Sequence, residues 1–142
     1  MVKAIVRALL GVLAGLIVMF VVITAIEYIA HQMFPPPPGL DPRNPADLAA
    51  VLASQPVAGL AMVVLAWVCG AFAGGWLAAR ISSVWPRTAA VIVALVVMSG
   101  VVGMIVQLPA HPKWMSVLGL LLPIPVALLA ARLARRKPTP GL

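Results

Sequence analysis

The chain has too few charged side chains to cover a water-soluble surface. Charged residues make up 9% of its 142 residues and hydrophobic residues make up 63%, whereas soluble domains carry about 25% charged residues. The mean hydropathy of +1.13 agrees with this composition. A soluble globular domain is therefore excluded, and a membrane protein is expected.

Acidic residues and cysteine, which carry much of the chemistry of protein sites, are scarce in this sequence. The sequence has three acidic residues and one cysteine, Cys69, and a single cysteine excludes an intrachain disulfide. No glycine-rich phosphate loop, serine elbow, HExxH metal motif or acidic pair suited to glycoside hydrolysis occurs. We therefore expect a protein that is not an enzyme and has no cofactor, except for a divalent metal considered below.

The chain is nevertheless strongly basic, with a formal net charge of +7. On a soluble protein this charge would indicate nucleic-acid binding, but here the lysines and arginines mostly flank apolar runs. We therefore interpret the charge as membrane topology and lipid contact. The expected partner is the lipid bilayer, and no nucleic acid is expected.

Four apolar segments are long enough to cross a bilayer as helices. A helix needs about 20 predominantly apolar residues to cross a hydrocarbon core of about 30 Å, where its backbone satisfies its own hydrogen bonds. The sequence predicts one membrane domain over residues 1–142, an all-α bundle of four transmembrane helices. The predicted spans cover about 9–28, 57–79, 88–108 and 115–131.

The distribution of positive charge predicts the orientation of these spans, because lysine and arginine near the ends of spans stay on the cytoplasmic side. Arg43 and Lys113 fall on one side of the predicted bundle, together with all three acidic residues. The other eight basic residues fall on the opposite side, so we expect both termini in the cytoplasm. The eight are Lys3, Arg7, Arg80, Arg87, Arg132, Arg135, Arg136 and Lys137.

The long connection between spans one and two, residues 32–56, falls on the outer side of the predicted bundle. A run of four prolines ends the first helix and stiffens the chain. Asn44, Pro45 and Asp47 then form a helix-start pattern of a capping side chain, a first-turn proline and an acid near the N-terminal dipole. This predicts a short extramembrane helix over residues 45–54, either a rigid lid or a partner-docking surface.

Small residues recur at four-residue spacing in three of the predicted spans. Lipid gives helices no hydrophobic drive to associate, so small residues mark where backbones approach closely. The pattern favours a protein that acts by association, as a homo-oligomer or as an accessory subunit of an envelope complex. Packing within one chain explains the pattern equally well. The pairs are Gly11 and Gly15, Gly70 and Gly74, and Ser99 and Gly103.

One polar stripe interrupts the outer part of span one. Thr24, Glu27 and His31 are three and four residues apart, so they share one face of a helix. Because an ionisable residue within a span is costly, Glu27 is the leading site residue. Four more residues are expected at the same level and complete the candidate set for a proton, substrate or ligand site. They are Asp41, Gln107, His111 and Lys113.

Three hypotheses remain open for this cluster. In the first, Glu27 bonds His31 or Lys113 and only fixes span one to the outer loops. In the second, Glu27 and a neighbouring histidine relay protons or bind a substrate, as in a small proton-coupled transporter. In the third, Glu27, His31 and His111 bind a divalent metal through two histidines and one carboxylate.

Basic residues near the inner ends of the spans are predicted to contact lipid. Each lysine or arginine near a membrane surface gains about 1 kcal/mol from anionic lipid. These residues are Arg80, Arg132, Arg135, Arg136 and Lys137.

Several segments together resemble small four-span membrane proteins of bacteria. They are Glu27-x-x-x-His31-x-x-Phe34, the proline run that continues to Pro42, Gly70-Ala-Phe-Ala-Gly-Gly-Trp76 with Arg80, and His111-Pro-Lys-Trp114. The resemblance covers most of the chain. It implies a location in the bacterial inner membrane and implies no activity.

Overall fold

The computed structural model describes residues 1–135, and these residues form helices with no β-strand among them. Two predicted lipid-contact residues, Arg136 and Lys137, lie outside the described residues. The helices are α1 (Val2–Met33), α2 (Pro45–Ser54), α3 (Val57–Ile81), α4 (Pro86–Gln107), α5 (Lys113–Leu121) and α6 (Pro123–Ala134).

Within residues 1–135, four helical segments are long and apolar enough to cross a membrane: α1, α3, α4 and the combined segment Lys113–Ala134. This confirms the all-helical fold class and supports a multi-pass membrane protein. α1 is longer than the predicted span, because its 32 residues extend over about 48 Å. The apolar run predicts the part of α1 that fits a hydrocarbon core, whereas the helix continues to Met33, shortly before the proline run.

The fourth segment is divided at Pro123. α5 ends at Leu121 and α6 begins at Pro123, because proline lacks an N–H and its ring crowds the preceding turn. Leu122 keeps helical φ and ψ angles of −79° and −36°, and its carbonyl accepts a hydrogen bond from the N–H of Val126 at 3.1 Å. The chain therefore remains helical on both sides of the interruption.

α3 is the central helix, since it contacts α1, α4, α5 and α6. Its buried face is built mainly from glycine and alanine, which allows neighbouring helices to approach closely. Larger apolar side chains fill the space between the helices and form the main core. They include Met19 of α1, Trp67 of α3, Val93 and Val101 of α4, and Met115 of α5.

The close contact of α1 with α3 depends on Gly15 and Gly74. A Cβ atom added to Gly15 would lie 2.6 Å from the Gly74 carbonyl oxygen, and one added to Gly74 would lie 2.5 Å from the Gly15 carbonyl oxygen. Gly11 approaches the partner helix in the same way, against the Ala78 carbonyl oxygen, whereas Gly70 packs mainly on the side chain of Ile23 in α1. Two of the three small-residue pairs in the sequence therefore pack within the chain.

The third pair lies on α4 and has no such neighbour within residues 1–135. The nearest atom to a Cβ added to Gly103 is Nε2 of Gln107, on the same helix, at 4.0 Å. A Cβ added to Gly100 would meet nothing within 4 Å. Ser99 turns its hydroxyl onto its own helix and donates to the Val96 carbonyl at 2.7 Å. We call Ser99, Gly100 and Gly103 the α4 small-residue face.

Charged residues divide the bundle into two ends. At the basic end, Arg7 of α1, Arg80 of α3 and Arg135 after α6 line one cavity. At the acidic end, Glu27 and Asp41 line another. The start of α1 and the end of α6 therefore lie at the same end of the bundle, as an even number of crossings requires.

Candidate functional site

The predicted polar stripe of α1 faces a large chamber at the acidic end. Thr24, Glu27 and His31 all line this chamber, because residues three and four positions apart share one helix face. The chamber has a volume of about 830 Å³. Asp41, from the connection after α1, lines it as well. Four of the seven candidate residues therefore come together.

The walls of the chamber are mostly apolar and come from the ends of α1, α3 and α4, from α2 and from the connection before α2. α2 contributes Leu48, Val51 and Leu52, while Met104 and Leu108 close the side formed by the end of α4. Val51 is 7% exposed, so α2 covers the chamber with its apolar face. α2 thereby covers one side of the chamber and lies against the rest of the bundle through side chains.

The connection that leads into α2 is fixed by local hydrogen bonds. The Asp41 carboxylate accepts from the Arg43 N–H at 2.8 Å, and Asn44 caps α2 by accepting from the Ala46 N–H at 3.1 Å. Asp47 accepts from the Asp41 N–H at 3.3 Å and from the Asn44 side-chain amide at 3.2 Å. The bond from Ala46 satisfies a backbone donor that the helix start leaves free, and the other bonds order the turn that precedes α2.

Gly59 allows the end of α1 to pack on the start of α3. A Cβ added to Gly59 would lie 2.8 Å from Oε1 of Gln55 and 3.3 Å from Cγ of Phe34. Phe34 directly follows α1, and Gln55 directly follows α2. Gly59, Phe34 and Gln55 all line the chamber, so this contact forms the part of its wall where three elements meet.

Glu27 is the half-buried carboxylate of the chamber. Within residues 1–135 its carboxylate has neither a hydrogen-bond nor an ion-pair partner. Nδ1 of His31 instead donates to the backbone carbonyl of Glu27 at 3.2 Å. The contact expected by the purely structural hypothesis, from the Glu27 carboxylate to His31 or Lys113, does not form in this structure.

With the imidazole of His31 neutral, the charged side chains on the chamber wall leave one negative charge in excess. Glu27 and Asp41 are the carboxylates, and Arg43 is the guanidinium among the lining residues. The Asp41 carboxylate is already engaged with the Arg43 N–H. Glu27 is therefore the charged group best placed to bind a ligand, and the ligand charge that it favours is positive.

His111 lies away from this chamber. It is 7% exposed in the short connection between α4 and α5, where its Nδ1 is 3.1 Å from Oγ of Ser116. Its ring stacks on Trp67 at a centroid separation of 6.4 Å. Burial lowers the pKa of His111, and a backbone hydrogen bond at Pro112 partly opposes that shift. These contacts make His111 a packed side chain of the bundle.

The structure does not assemble the predicted metal ligands. No group of three His, Cys, Asp or Glu side chains within residues 1–135 is arranged to hold a metal ion. The reason is the direction of the α4–α5 connection, which places His111 against Trp67 and not beside Glu27 and His31. Gln107 and Lys113 also lie off the chamber wall, and both are exposed.

The chamber wall also includes four polar residues that were not predicted as site residues, and they are Tyr28, Gln32, Arg43 and Gln55. The two-residue spacing from Asp41 to Arg43 is typical of a turn in which an aspartate accepts a hydrogen bond from the backbone. This spacing could have indicated from the sequence that Arg43 lies close to Asp41. Gln55 carries no comparable signal, because its place depends on how Phe34 and Gly59 pack. Comparison of the chain with protein-family models, with curated proteins and with solved structures finds no match.

Proposed function

We propose that this is a non-enzymatic membrane protein that binds a cationic, partly apolar small molecule in the acidic-end chamber, with Glu27 as the charge anchor. The observation that carries the proposal is the half-buried Glu27 carboxylate on the chamber wall, without a partner in residues 1–135. An unpaired carboxylate in partly apolar surroundings is costly to maintain. A cationic ligand offsets that cost.

The size and lining of the chamber support a small-molecule ligand. Ligand sites are typically clefts of about 300–1,000 Å³ with mainly apolar walls and a few placed polar groups. A volume of about 830 Å³ falls in that range. The apolar side chains of α2 and α4 suit the apolar part of such a ligand, and Glu27 suits its charge.

The test uses tetraphenylphosphonium, a lipophilic cation, as the probe. Full-length protein in phosphatidylcholine nanodiscs is dialysed to equilibrium against the probe, with protein-free nanodiscs as the measure of lipid partitioning. We expect saturable binding to the wild type. Glu27→Gln keeps the size of the side chain and removes its charge, so it should weaken binding about tenfold or more.

Asp47→Asn is the matched control for Glu27→Gln. It removes one negative charge from the same end and keeps an acceptor oxygen, and Asp47 does not line the chamber. We expect Asp47→Asn to bind the probe with nearly wild-type affinity. Equal weakening by both substitutions would show that only the overall charge of this end matters, and would contradict the proposal.

A transporter must also bind its substrate, so the proposed binding function is compatible with a small proton-coupled transporter. A separate experiment tests whether transport occurs. Reconstituted vesicles with a pH gradient report whether uptake of tetraphenylphosphonium follows the gradient. Gradient-dependent uptake that is lost in Glu27→Gln supports a small transporter. Saturable binding without uptake supports a binding protein.

A second candidate function, association with another copy of the chain or with another membrane protein, is favoured by the α4 small-residue face. Its glycines have no packing neighbour within residues 1–135, unlike those of α1 and α3. Close helix contacts in lipid are built on such faces. Native mass measurement in mild detergent should give a dimer or a complex, and Gly100→Leu should reduce it to the single chain. A wild-type protein that is always a single chain without partners argues against association.

We also propose that the basic end faces the cytoplasm of a bacterial inner membrane. The support is the placement of lysine and arginine at the ends of spans. Single cysteines in a Cys69→Ala background test it, with Ser83→Cys in the turn between α3 and α4 and Ala49→Cys on α2. In intact cells a membrane-impermeant thiol reagent should label Ala49→Cys and spare Ser83→Cys, and the opposite labelling contradicts this orientation.

A further inference from the structure

The basic end contains a second cavity, of about 490 Å³, which the proposed function does not use. It lies where the end of α3, the start of α4 and the end of α6 meet, and Arg7 of α1 completes the wall. Three guanidinium groups, from Arg7, Arg80 and Arg135, line it. No acidic side chain lines this cavity, so the described part of the chain leaves its positive charge unbalanced.

Arg80 is held in place before any ligand arrives. Its Nη1 donates to the Ala134 carbonyl at 3.3 Å, and the carbon of its guanidinium lies 5.6 Å from the centre of the Trp76 ring. An arginine has five N–H donors in a planar fork. One bond to Ala134 therefore leaves donors for an anion, and the Trp76 and Ala134 contacts reduce the freedom that binding would otherwise remove.

Ser82 gives an independent indication of a ligand. It is 2% exposed, it lines the cavity, and its hydroxyl has no hydrogen-bond partner within residues 1–135. A buried hydroxyl without a partner is unfavourable by roughly 1–3 kcal/mol. An anionic oxygen in the cavity would accept the hydrogen bond that this hydroxyl lacks.

The local sequence explains why Arg7 reaches this cavity. A Cβ added to Gly11 would lie 2.8 Å from the Ala78 carbonyl oxygen and 3.2 Å from the Ser82 nitrogen, so glycine brings α1 against the end of α3. Arg7 is four residues before Gly11 and shares its helix face. The same close contact therefore places Arg7 on the wall of the cavity that Ser82 also lines.

We propose that the basic-end cavity is a binding site for a phosphate group, with Arg7, Arg80 and Arg135 as the charge partners and Ser82 as a hydroxyl donor. Arginine is the residue best suited to phosphate oxygens. The positive N-terminal end of α4, which begins with Pro86 on the cavity wall, acts in the same direction. The phosphate belongs either to an anionic lipid headgroup or to a soluble phosphate compound.

Two arms of one experiment separate these sources. In the first, full-length protein in detergent is incubated with phosphatidylglycerol and phosphatidylcholine, and native mass spectrometry counts the lipids retained. In the second, the protein in phosphatidylcholine nanodiscs is dialysed against labelled inorganic phosphate. Selective retention of phosphatidylglycerol identifies a lipid headgroup, and saturable phosphate binding identifies a soluble ligand. No binding in either arm overturns the proposal.

Variants then test which residues bind the phosphate group. In the arm that binds, Arg80→Gln should weaken binding roughly tenfold to a hundredfold. Arg7→Gln and Ser82→Ala should weaken it in the same direction, and neither removes a hydrogen bond made within residues 1–135, so both should fold normally. Arg87→Gln is the matched control, because Arg87 is exposed at the same end and does not line the cavity.

The control also distinguishes a defined site from diffuse attraction to a positive surface. If Arg87→Gln weakens binding as much as Arg7→Gln, the attraction is diffuse and the proposal is wrong. If Arg7→Gln and Ser82→Ala both retain full affinity, the proposal is equally wrong. The outcome does not depend on tetraphenylphosphonium binding, so it stands apart from the function proposed for the acidic end.

Discussion

The two ends of the bundle share α1, α3 and α4 and differ in how charge is presented. At the acidic end a half-buried carboxylate, Glu27, faces a chamber with mostly apolar walls. At the basic end three exposed arginines surround a smaller cavity and no carboxylate lies among them. The acidic end is thus suited to an amphiphilic ligand, whereas the basic end is suited to a strongly charged group at the membrane surface.

The connections between the helices explain this difference. Between α1 and α3 the chain is long enough to form α2, which lays its apolar face over the chamber. Between α3 and α4 it has only the short turn from Ser82 to Trp85, which cannot cover a cavity. The long connection therefore supplies a helix that covers one side of the chamber, and the short turn leaves charged side chains exposed.

The largest expected effect is the loss of ligand binding at both ends of the bundle through one substitution. Gly74→Leu places a side chain where the Gly15 carbonyl lies 2.5 Å from an added Cβ, so α1 must move away from α3. Since α1 contributes to both cavities, we expect loss of both binding activities and a fall of about 3 kcal/mol in the free energy of unfolding. Detergent-induced unfolding followed by circular dichroism measures the change.

Gly100→Leu is the control for that substitution, because an added Cβ there meets nothing within 4 Å. We expect its effect on the unfolding of the single chain to stay within about 0.5 kcal/mol. Equal destabilisation by both substitutions would show that the contact between Gly15 and Gly74 has no special role.

The next largest effect is the loss of binding at one end while binding at the other end is kept. Glu27→Gln should weaken tetraphenylphosphonium binding about tenfold or more, and Arg80→Gln should weaken phosphate-group binding by a similar factor. Neither should change the other activity, because substitutions far apart without shared partners act additively. Binding of both probes to the single and double variants measures this independence, and a coupling between the ends would contradict separate sites.

A smaller effect is expected when the pH is changed, because the stability of the fold depends on the protonation of the buried His111. Because burial lowers the pKa of His111 in the folded protein, the unfolded chain binds the proton more readily. The contribution of His111 to stability is therefore present above its ordinary pKa of about 6.5 and decreases as the pH falls through that value. Unfolding measured between about pH 7.5 and about pH 5.5 should show this decrease.

His111→Gln tests the assignment of that pH dependence. The variant lacks the titrating ring, so its stability should decrease less over the same pH range than that of the wild type. His31 is present in both proteins, so the difference between the two slopes belongs to His111. Identical slopes would show that the buried histidine does not cause the effect.

The smallest expected effect concerns the cover of the chamber. Asn44→Ala removes the cap of α2, which should destabilise that helix by about 1 kcal/mol. Amide hydrogen exchange should become faster in α2 and remain unchanged in α3. Asn44→Ser is the matched control, since serine is also a good cap, and equally fast exchange in both variants would mean that the capping bond is unimportant.

Features that depend on residues close together in the sequence were predictable from the sequence. The four apolar segments follow from hydropathy alone, because a membrane helix satisfies its own backbone. The common face of Thr24, Glu27 and His31 follows from helix geometry. The interruption at Pro123 follows from the missing N–H of proline. Each of these needs no knowledge of how the helices are arranged.

Features that depend on packing were not predictable. His111 was placed with Glu27 because both belong to the outer loops and helix ends, yet its ring stacks on Trp67. The choice between these partners depends on the direction of the α4–α5 connection, which no local pattern specifies. The small-residue pairs were similarly ambiguous. Only the structure shows that Gly15 faces Gly74 and that Gly100 has no packing neighbour among residues 1–135.

The measurement that tests the central claim most directly is the dissociation constant of tetraphenylphosphonium for the wild type, Glu27→Gln and Asp47→Asn in identical nanodiscs. The acidic-end chamber predicts saturable binding, weakened about tenfold or more by Glu27→Gln and nearly unchanged in Asp47→Asn. Binding that Glu27→Gln leaves intact would contradict the claim that the half-buried carboxylate of α1 is the anchor of a ligand site.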